Sequence, residues 1–236
     1  MVLVGPGKMK PLRVIVYQKI GTPPKNSHLK DEWTSVAGLT RTLDRLQRRH
    51  IHTVSPRQLL TQPPAPPSVL LLFLGGYRTF YTTVYPLLKE RGLSACVCLP
   101  ADCIGTYNRW QDPYKEPWQD LLTEEEIKEL AQDPLISLGA MPLKAQDITL
   151  LPPKEASFSL QESAFRLAKI QSPLLLACHP AAKRLAPAVE LWPDFQGITW
   201  GRKNCYRAGA VFPVKGIKGN SRWIGLLLWM LRFCKK

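Results

Sequence analysis

The chain is poor in the residues that would mark a metalloenzyme or a zinc-stabilised fold. Among its 236 residues there are four histidines, His28, His50, His52 and His179, and none follows Gly197. His50 and His52 have no further ligand type close by in sequence. The six cysteines, Cys96, Cys98, Cys103, Cys178, Cys205 and Cys234, form no CxxC pair and sit largely in apolar segments. That excludes the common structural zinc patterns and reads as reduced thiols of a cytoplasmic chain. The N-terminal stretch MVLVGPGKMKPLRV lacks a continuous apolar core, because Gly5-Pro6-Gly7 interrupts it, and this too favours the cytoplasm. Acidic residues are scarce, 18 against 32 Lys plus Arg, for a net charge of +14. Most of the surplus lies between Arg166 and Lys236, where 13 Lys or Arg face only Glu190 and Asp194. Such a balance favours an anionic glycan, a phospholipid surface or nucleic acid. No nucleic-acid-binding motif accompanies it, so nucleic acid is the least supported of the three.

What is present is an alternation of short apolar runs with amphipathic helices over a length suited to one α/β domain, residues 1–236. Val69 to Leu74 is a buried strand that stops at Gly75-Gly76, a tight turn. Tyr85 to Arg91 forms the end of a helix closed by Gly92, and Ala95 to Leu99 returns as a strand, completing a βαβ unit. Upstream, Leu12 to Gln18 is a strand, and Val36, Leu39, Leu43 and Leu46 recur at helical spacing with arginines between them. Ser55-Pro56 opens a short helical turn, and TQPPAPPS is a stiff connector. Tyr107 to Leu122 is rich in Trp, Tyr, Pro and Asp without a period, as expected of an ordered loop across one end of the sheet. Thr123 with Glu126 is a capping box opening a helix to about Gln132, and Ile136 to Ala140 is a strand. A second capping box, Ser159 with Glu162, predicts a helix to Ile170 that offers Phe165, Leu167 and Ile170 to the core. Strands at Leu174 to Ala177 and Gly197 to Trp200 flank a helix at Ala182 to Leu191.

The phrases F-x-G-G-Y-R-T-F-Y, Y-P-L-L-K-E-R-G-L and A-x-V-x-L-P-A-D-x-I-G-T resemble the core of the polysaccharide deacetylases, the NodB-type carbohydrate esterases. The resemblance extends to V-I-V-Y-Q near the start, to E-E-I-K-E-L-A-Q-D-P-L-I-S-L-G-A, to Leu176-Ala177-Cys178-His179-Pro180-Ala181 and to Phe212-Pro213-Val214. It therefore covers nearly the whole chain. It implies a distorted (β/α) barrel with fewer than eight strands. It also implies a catalytic aspartate and a metal-binding aspartate at positions held here by Leu74 and Gly75, and two metal-binding histidines at positions held by Met141 and Ala145. Leucine accepts no proton, glycine offers no ligand atom, and a thioether and a methyl group do not make a zinc site. The family's catalytic histidine has no counterpart after Gly197.

The resemblance thus leads to a deacetylase-like barrel with no cofactor, no metal and no hydrolysis, binding a glycan or a partner protein in carbohydrate metabolism. Tyr77, Arg78, Asp102, Tyr107 and His179 are the candidate ligand-binding residues, with Trp110 beside them. The alternative is an active hydrolase of an acylated amino sugar, built on His179 with Asp102 or Asp147. The final apolar segment, Trp223 to Phe233, rises only ~16 Å as a helix, too short for a bilayer core of ~30 Å. Arg222, Trp223, Trp229, Arg232, Lys235 and Lys236 would suit peripheral contact with an anionic membrane, and a helix docked on the barrel is the competing reading.

Overall fold

Short apolar runs and period-3.6 patterns alternate along this chain, and among the described residues they pack on one another. The computed structural model describes residues 12–61, 67–177, 198–200, 204–207, 210–219 and 221. Within them the elements run β1 (Leu12–Tyr17), β2 (Lys19–Ile20), β3 (Trp33–Thr34), α1 (Val36–Arg48), β4 (His52–Thr53), α2 (Pro56–Thr61) and β5 (Ser68–Leu74). There follow α3 (Tyr85–Arg91), β6 (Ala95–Leu99), α4 (Glu124–Gln132), β7 (Ile136–Ala140) and α5 (Pro153–Ala168). The last strands are β8 (Leu175–Ala177), β9 (Ile198–Trp200), β10 (Asn204–Arg207) and β11 (Ala210–Lys218).

β1 pairs in parallel with both β5 and β11, so the sheet curls until it closes. Around the ring, β5, β6, β7, β8 and β9 are joined by parallel pairings, with Leu72 opposite Cys96, Val97 opposite Leu138 and Gly139 opposite Leu175. β10 runs antiparallel to β9 and β11. Among the described residues the ring has eight strands, seven of one direction and one reversed, where the resemblance implied fewer than eight. The extra strand is Asn-Cys-Tyr-Arg, which carries no apolar run; it is held by backbone pairing to its hairpin partner. β4 lies outside the ring, against the start of β5.

Alternation along the strands sorts the core into two layers. Ile15, Val69, Leu71, Phe73 and Val97 face outward and pack under the buried sides of α1, α3, α4 and α5. Leu12, Val14, Leu70, Leu72, Cys96 and Cys98 face the barrel interior. Cys96, Cys98 and Cys103 are buried free thiols, and burial foremost pushes the thiols of Cys98 and Cys103 above their ordinary value.

Helix boundaries follow local chemistry. Ser35 accepts from the Gly38 amide to start α1, whose Leu39, Leu43 and Leu46 are buried, although Val36 is exposed on its first turn. Thr123 and Glu126 form the expected reciprocal capping box. The second expected box is not a cap: α5 begins at Pro153, and Ser159 lies within it, fully buried. Its hydroxyl accepts from the Leu143 amide at 2.9 Å, so the side chain serves a neighbouring loop and not its own helix end. With the start moved upstream, the buried stripe becomes Ala156, Leu160, Ala164 and Leu167, and Phe165 turns outward, 63% exposed. No helix among the described residues is long and apolar enough to cross a membrane. The expected helix at Ala182 to Leu191 and the segment from Arg222 to Lys236 lie outside the described residues.

Gly139 shows how tightly the interior is filled. A Cβ there would meet Cys98 Sγ at 2.5 Å and the Leu175 carbonyl oxygen at 3.1 Å. Gly139→Val is expected to lower stability by about 1–3 kcal/mol through overpacking. Urea unfolding checks this; a midpoint equal to that of the parent chain would contradict it.

Candidate functional site

The mouth of the barrel is made where β5 and β7 end. Leu74 is the last residue of β5 and is buried in the interior cluster. The chain then turns through Gly75 and Gly76, whose φ values of 100° and 66° are ones that side chains with a Cβ rarely adopt. A Cβ on Gly75 would lie 2.6 Å from the Tyr77 ring, and one on Gly76 2.5 Å from a Leu99 methyl. The Gly75 N–H meets the Cys98 carbonyl at 3.0 Å and Met141 Sδ at 3.1 Å. Met141 follows β7 directly, and Ala145 closes the next turn, its N–H donating to the Pro142 carbonyl at 2.7 Å. Leu74, Met141 and Ala145 are all buried in the cluster that fills the interior, with Trp110 packed against them.

The structure therefore brings Leu74, Gly75, Met141 and Ala145 together at one point. What they form is an apolar plug. A zinc ion takes imidazole, carboxylate or thiolate donors, and these four side chains supply none. The residues present do not fit a metal at this place. Among the described residues no group of three or more His, Cys, Asp or Glu side chains is placed to hold one.

Beside the plug lies a polar centre that sequence reasoning missed. Lys19, on β2, is 1% exposed, and its ammonium donates to Glu116 at 2.8 Å and to Glu32 at 3.1 Å. Glu116 is fully buried and also accepts from the Ser27 hydroxyl and from Trp33 Nε1 at 2.9 Å. Gln111 Nε2 donates to Glu32 at 2.8 Å. The ammonium sits 5.7 Å from the Trp33 ring centroid and 5.8 Å from that of Tyr77. Burial, the largest influence, would raise the Glu116 carboxyl, but the hydrogen bonds from Lys19, Ser27 and Trp33 together outweigh it and hold the group below its ordinary value. Burial, and then the charges of Glu32 and Glu116, push the Tyr77 phenol well above its ordinary value, so it stays protonated. A lysine closing the apolar run V-I-V-Y-Q-K-I was the available signal. Glu116, nearly a hundred residues away in an aperiodic loop, gave none.

The candidate ligand residues separate. Tyr77 and Arg78 line a cavity of about 240 Å³ together with Lys19, Trp33, Gln119 and Asp120. Arg78 is half-exposed and ion-paired with Glu126 at 2.8 Å. Tyr107 does not line the cavity; it stacks on Trp118, ring centroids 6.3 Å apart and 15° from parallel. Asp102 does not line the cavity; it is ion-paired with Arg166 on α5 at 3.1 Å. Asp147 is occupied in capping the turn after it, accepting from the Thr149 amide and hydroxyl. His179 lies outside the described residues.

No family model and no curated protein matches the sequence. Solved structures do match the fold. The deacetylase PplD of Streptococcus pyogenes, 16% identical, superposes with a TM-score of 0.71 over 92% of this chain and 97% of its own. IcaB from Ammonifex degensii, 15% identical, gives 0.75 over 94% and 97%. BC0361, a polysaccharide deacetylase from Bacillus cereus, 13% identical, gives 0.74 over 94% and 69%. At these identities the likeness is one of architecture: the chain has the fold of the polysaccharide deacetylases, as the resemblance in its sequence implied.

Replacing Glu116 by Gln keeps the shape of the buried centre and removes one of the two charges that balance Lys19, leaving Glu32. Losing a charged hydrogen-bond partner of this kind costs about 1.5–3 kcal/mol, read as a lower urea midpoint for Glu116→Gln. Because the native carboxyl titrates below the ordinary value of 4.5, its contribution is complete above that value and is lost as pH falls through the native one. The gap between parent and variant should therefore close on acidification, and a gap independent of pH from 7 to 3 would refute the assignment.

Proposed function

We propose that this chain is a divergent relative of the polysaccharide deacetylases that has given up hydrolysis and kept a binding role in carbohydrate metabolism, with a glycan as the ligand and a protein of the same pathway as the competing partner. One observation carries the loss of hydrolysis: the Gly75 N–H is directed at Met141 Sδ inside an apolar plug, at the place where the resemblance puts a carboxylate, an imidazole and a metal. A general base must ionise and a metal must find donors, and burial among leucine, methionine and alanine side chains supports neither. The backbone reinforces this, since an aspartate at position 75 would require an unfavourable φ and would drive its Cβ into Tyr77. A glycan is favoured over a protein partner by the Tyr77 cavity, which is small and lined by both rings and hydrogen-bonding groups.

The test is acetate release from N-acetylglucosamine oligomers with zinc or cobalt supplied. No turnover above background is expected, nor stoichiometric zinc in the purified protein. Turnover that a single carboxylate or histidine substitution abolishes would overturn the reading. Gly75→Asp combined with Met141→His is expected to restore no activity and to lower stability by about 1–3 kcal/mol through strain and overpacking.

A further inference from the structure

None of Leu74, Gly75, Met141 and Ala145 lines the cavity at Tyr77, so this space is distinct from the plugged mouth. Its volume, about 240 Å³, falls just under the ~300 Å³ at which pockets begin to hold drug-sized molecules, which leaves room for one ring. The charges of the lining decide the ligand's charge. Lys19 is ion-paired with Glu116 and Glu32, and Arg78 with Glu126, so neither offers a free cation to an anion. Asp120 adds an exposed carboxylate. The overall charge of +14 favours an anionic ligand, but at this cavity the local pairing removes that advantage.

Two further observations converge on the same place. The segment Phe80–Val84 is a turn of π-helix, an arrangement that often accompanies functional sites, and Thr79 and Thr82 at this turn line the cavity. On the other side, Tyr107 bridges Asp120 and Tyr77 bridges Leu121, both antiparallel. Directly opposed residues share a face, and so do residues two apart on one strand. Tyr107, Trp118 and Asp120 therefore lie on one face of this ribbon. Tyr107 and Trp118, 49% and 44% exposed, stack on each other with their planes 15° apart, and the outer side of this pair offers an aromatic face beside the cavity's carboxylate. Flat aromatic faces next to groups that both donate and accept hydrogen bonds suit a pyranose, which has apolar C–H faces and a hydroxylated edge.

The geometry points to a carbohydrate site of at least two subsites, displaced from the plugged mouth, in which one uncharged hexopyranosyl unit occupies the cavity at Trp33 and Tyr77 and the adjoining unit lies on the Tyr107–Trp118 platform. This rests on the reading that the chain binds a glycan, and it is independent of whether acetyl groups are removed. Calorimetric titration at physiological salt with N-acetylglucosamine, its pentamer and an oligogalacturonate of equal length tests it. The neutral pentamer is expected to bind more tightly than the monosaccharide and than the anionic oligomer. Tyr107→Ala with Trp118→Ala should weaken the pentamer about tenfold, the loss expected from removing an aromatic stacking surface, and leave the monosaccharide unchanged. Thr82→Trp, at an exposed position where the new ring would fill the cavity, should abolish binding of both, with thermal unfolding checked to match the parent. Pentamer affinity unchanged in these variants, equal affinity for the oligogalacturonate, or no pentamer binding at millimolar concentration would overturn the site. Acetate release is scored separately in the same samples: its appearance would remove the inactive reading, pentamer binding that survives both variants would remove this site alone, and no binding of any of the three sugars would remove the glycan reading with it.

Discussion

A closed barrel must fill its own interior, and among the described residues the filling is mostly apolar, with the hydroxyls of Ser68 and Ser137 buried in it. Leu70, Leu72 and Leu74 descend one strand, Cys96 and Cys98 the next, and Leu175 and Ala177 a third, all fully or almost fully buried. Truncating any one of those leucines to alanine carries the cost of a buried cavity, about 2–5 kcal/mol. Gly139 is part of the same constraint, because the thiols of Cys96 and Cys98 occupy the space a side chain would need. Met141 and Ala145 continue the column to its end, so the point where the resemblance implied catalytic and metal-binding groups is here the last layer of the core.

An apolar mouth changes what the surrounding loops have to do. The polar centre lies to one side, where Lys19 is enclosed by Glu116, Glu32, Trp33 and Tyr77. This centre draws the segment from Ser27 to Trp33 and the long loop carrying Gln111 and Glu116 onto the end of β1. A buried ammonium with two carboxylates is stable only when every remaining donor and acceptor is engaged, and the Ser27 hydroxyl, the Trp33 indole and the Gln111 amide complete that set. The cavity beside it consequently inherits a fixed floor whose ammonium is already paired.

The helices show a similar division between local and tertiary roles. Ser159 and Ser163 sit within α5 and are buried, and their hydroxyls accept backbone N–H groups of Leu143 and Ala101, in the loops that follow β7 and β6. The Ser159 hydroxyl, which a sequence reading assigns to a helix end, thus stabilises the rim of the barrel together with that of Ser163. Tyr81 and Tyr85, one turn apart, reach Glu129 and Asp133 on or just beyond α4 and tie two outer helices together.

Strand and helix identity was legible wherever a period was strong. Val69 to Leu74, Ala95 to Leu99, Ile136 to Ala140 and the helix from Tyr85 to Arg91 could be read from apolar spacing and, for the first strand and the helix, from the glycines that end them, since those signals are local. The family likeness of the fold was legible for the same reason, and so was the absence of ionisable groups at Leu74, Gly75, Met141 and Ala145. Three things were decided only by tertiary structure. The reversed strand Asn204–Arg207 exists because backbone hydrogen bonds from its neighbours complete the ring, not because its side chains demand it. The ion pair of Asp102 with Arg166 arises only once α5 packs beside the loop after β6. Lys19 and Glu116 are 97 residues apart, and a salt bridge across that distance has no signature in sequence, because its energy arises from desolvation and geometry that exist only once the barrel has closed.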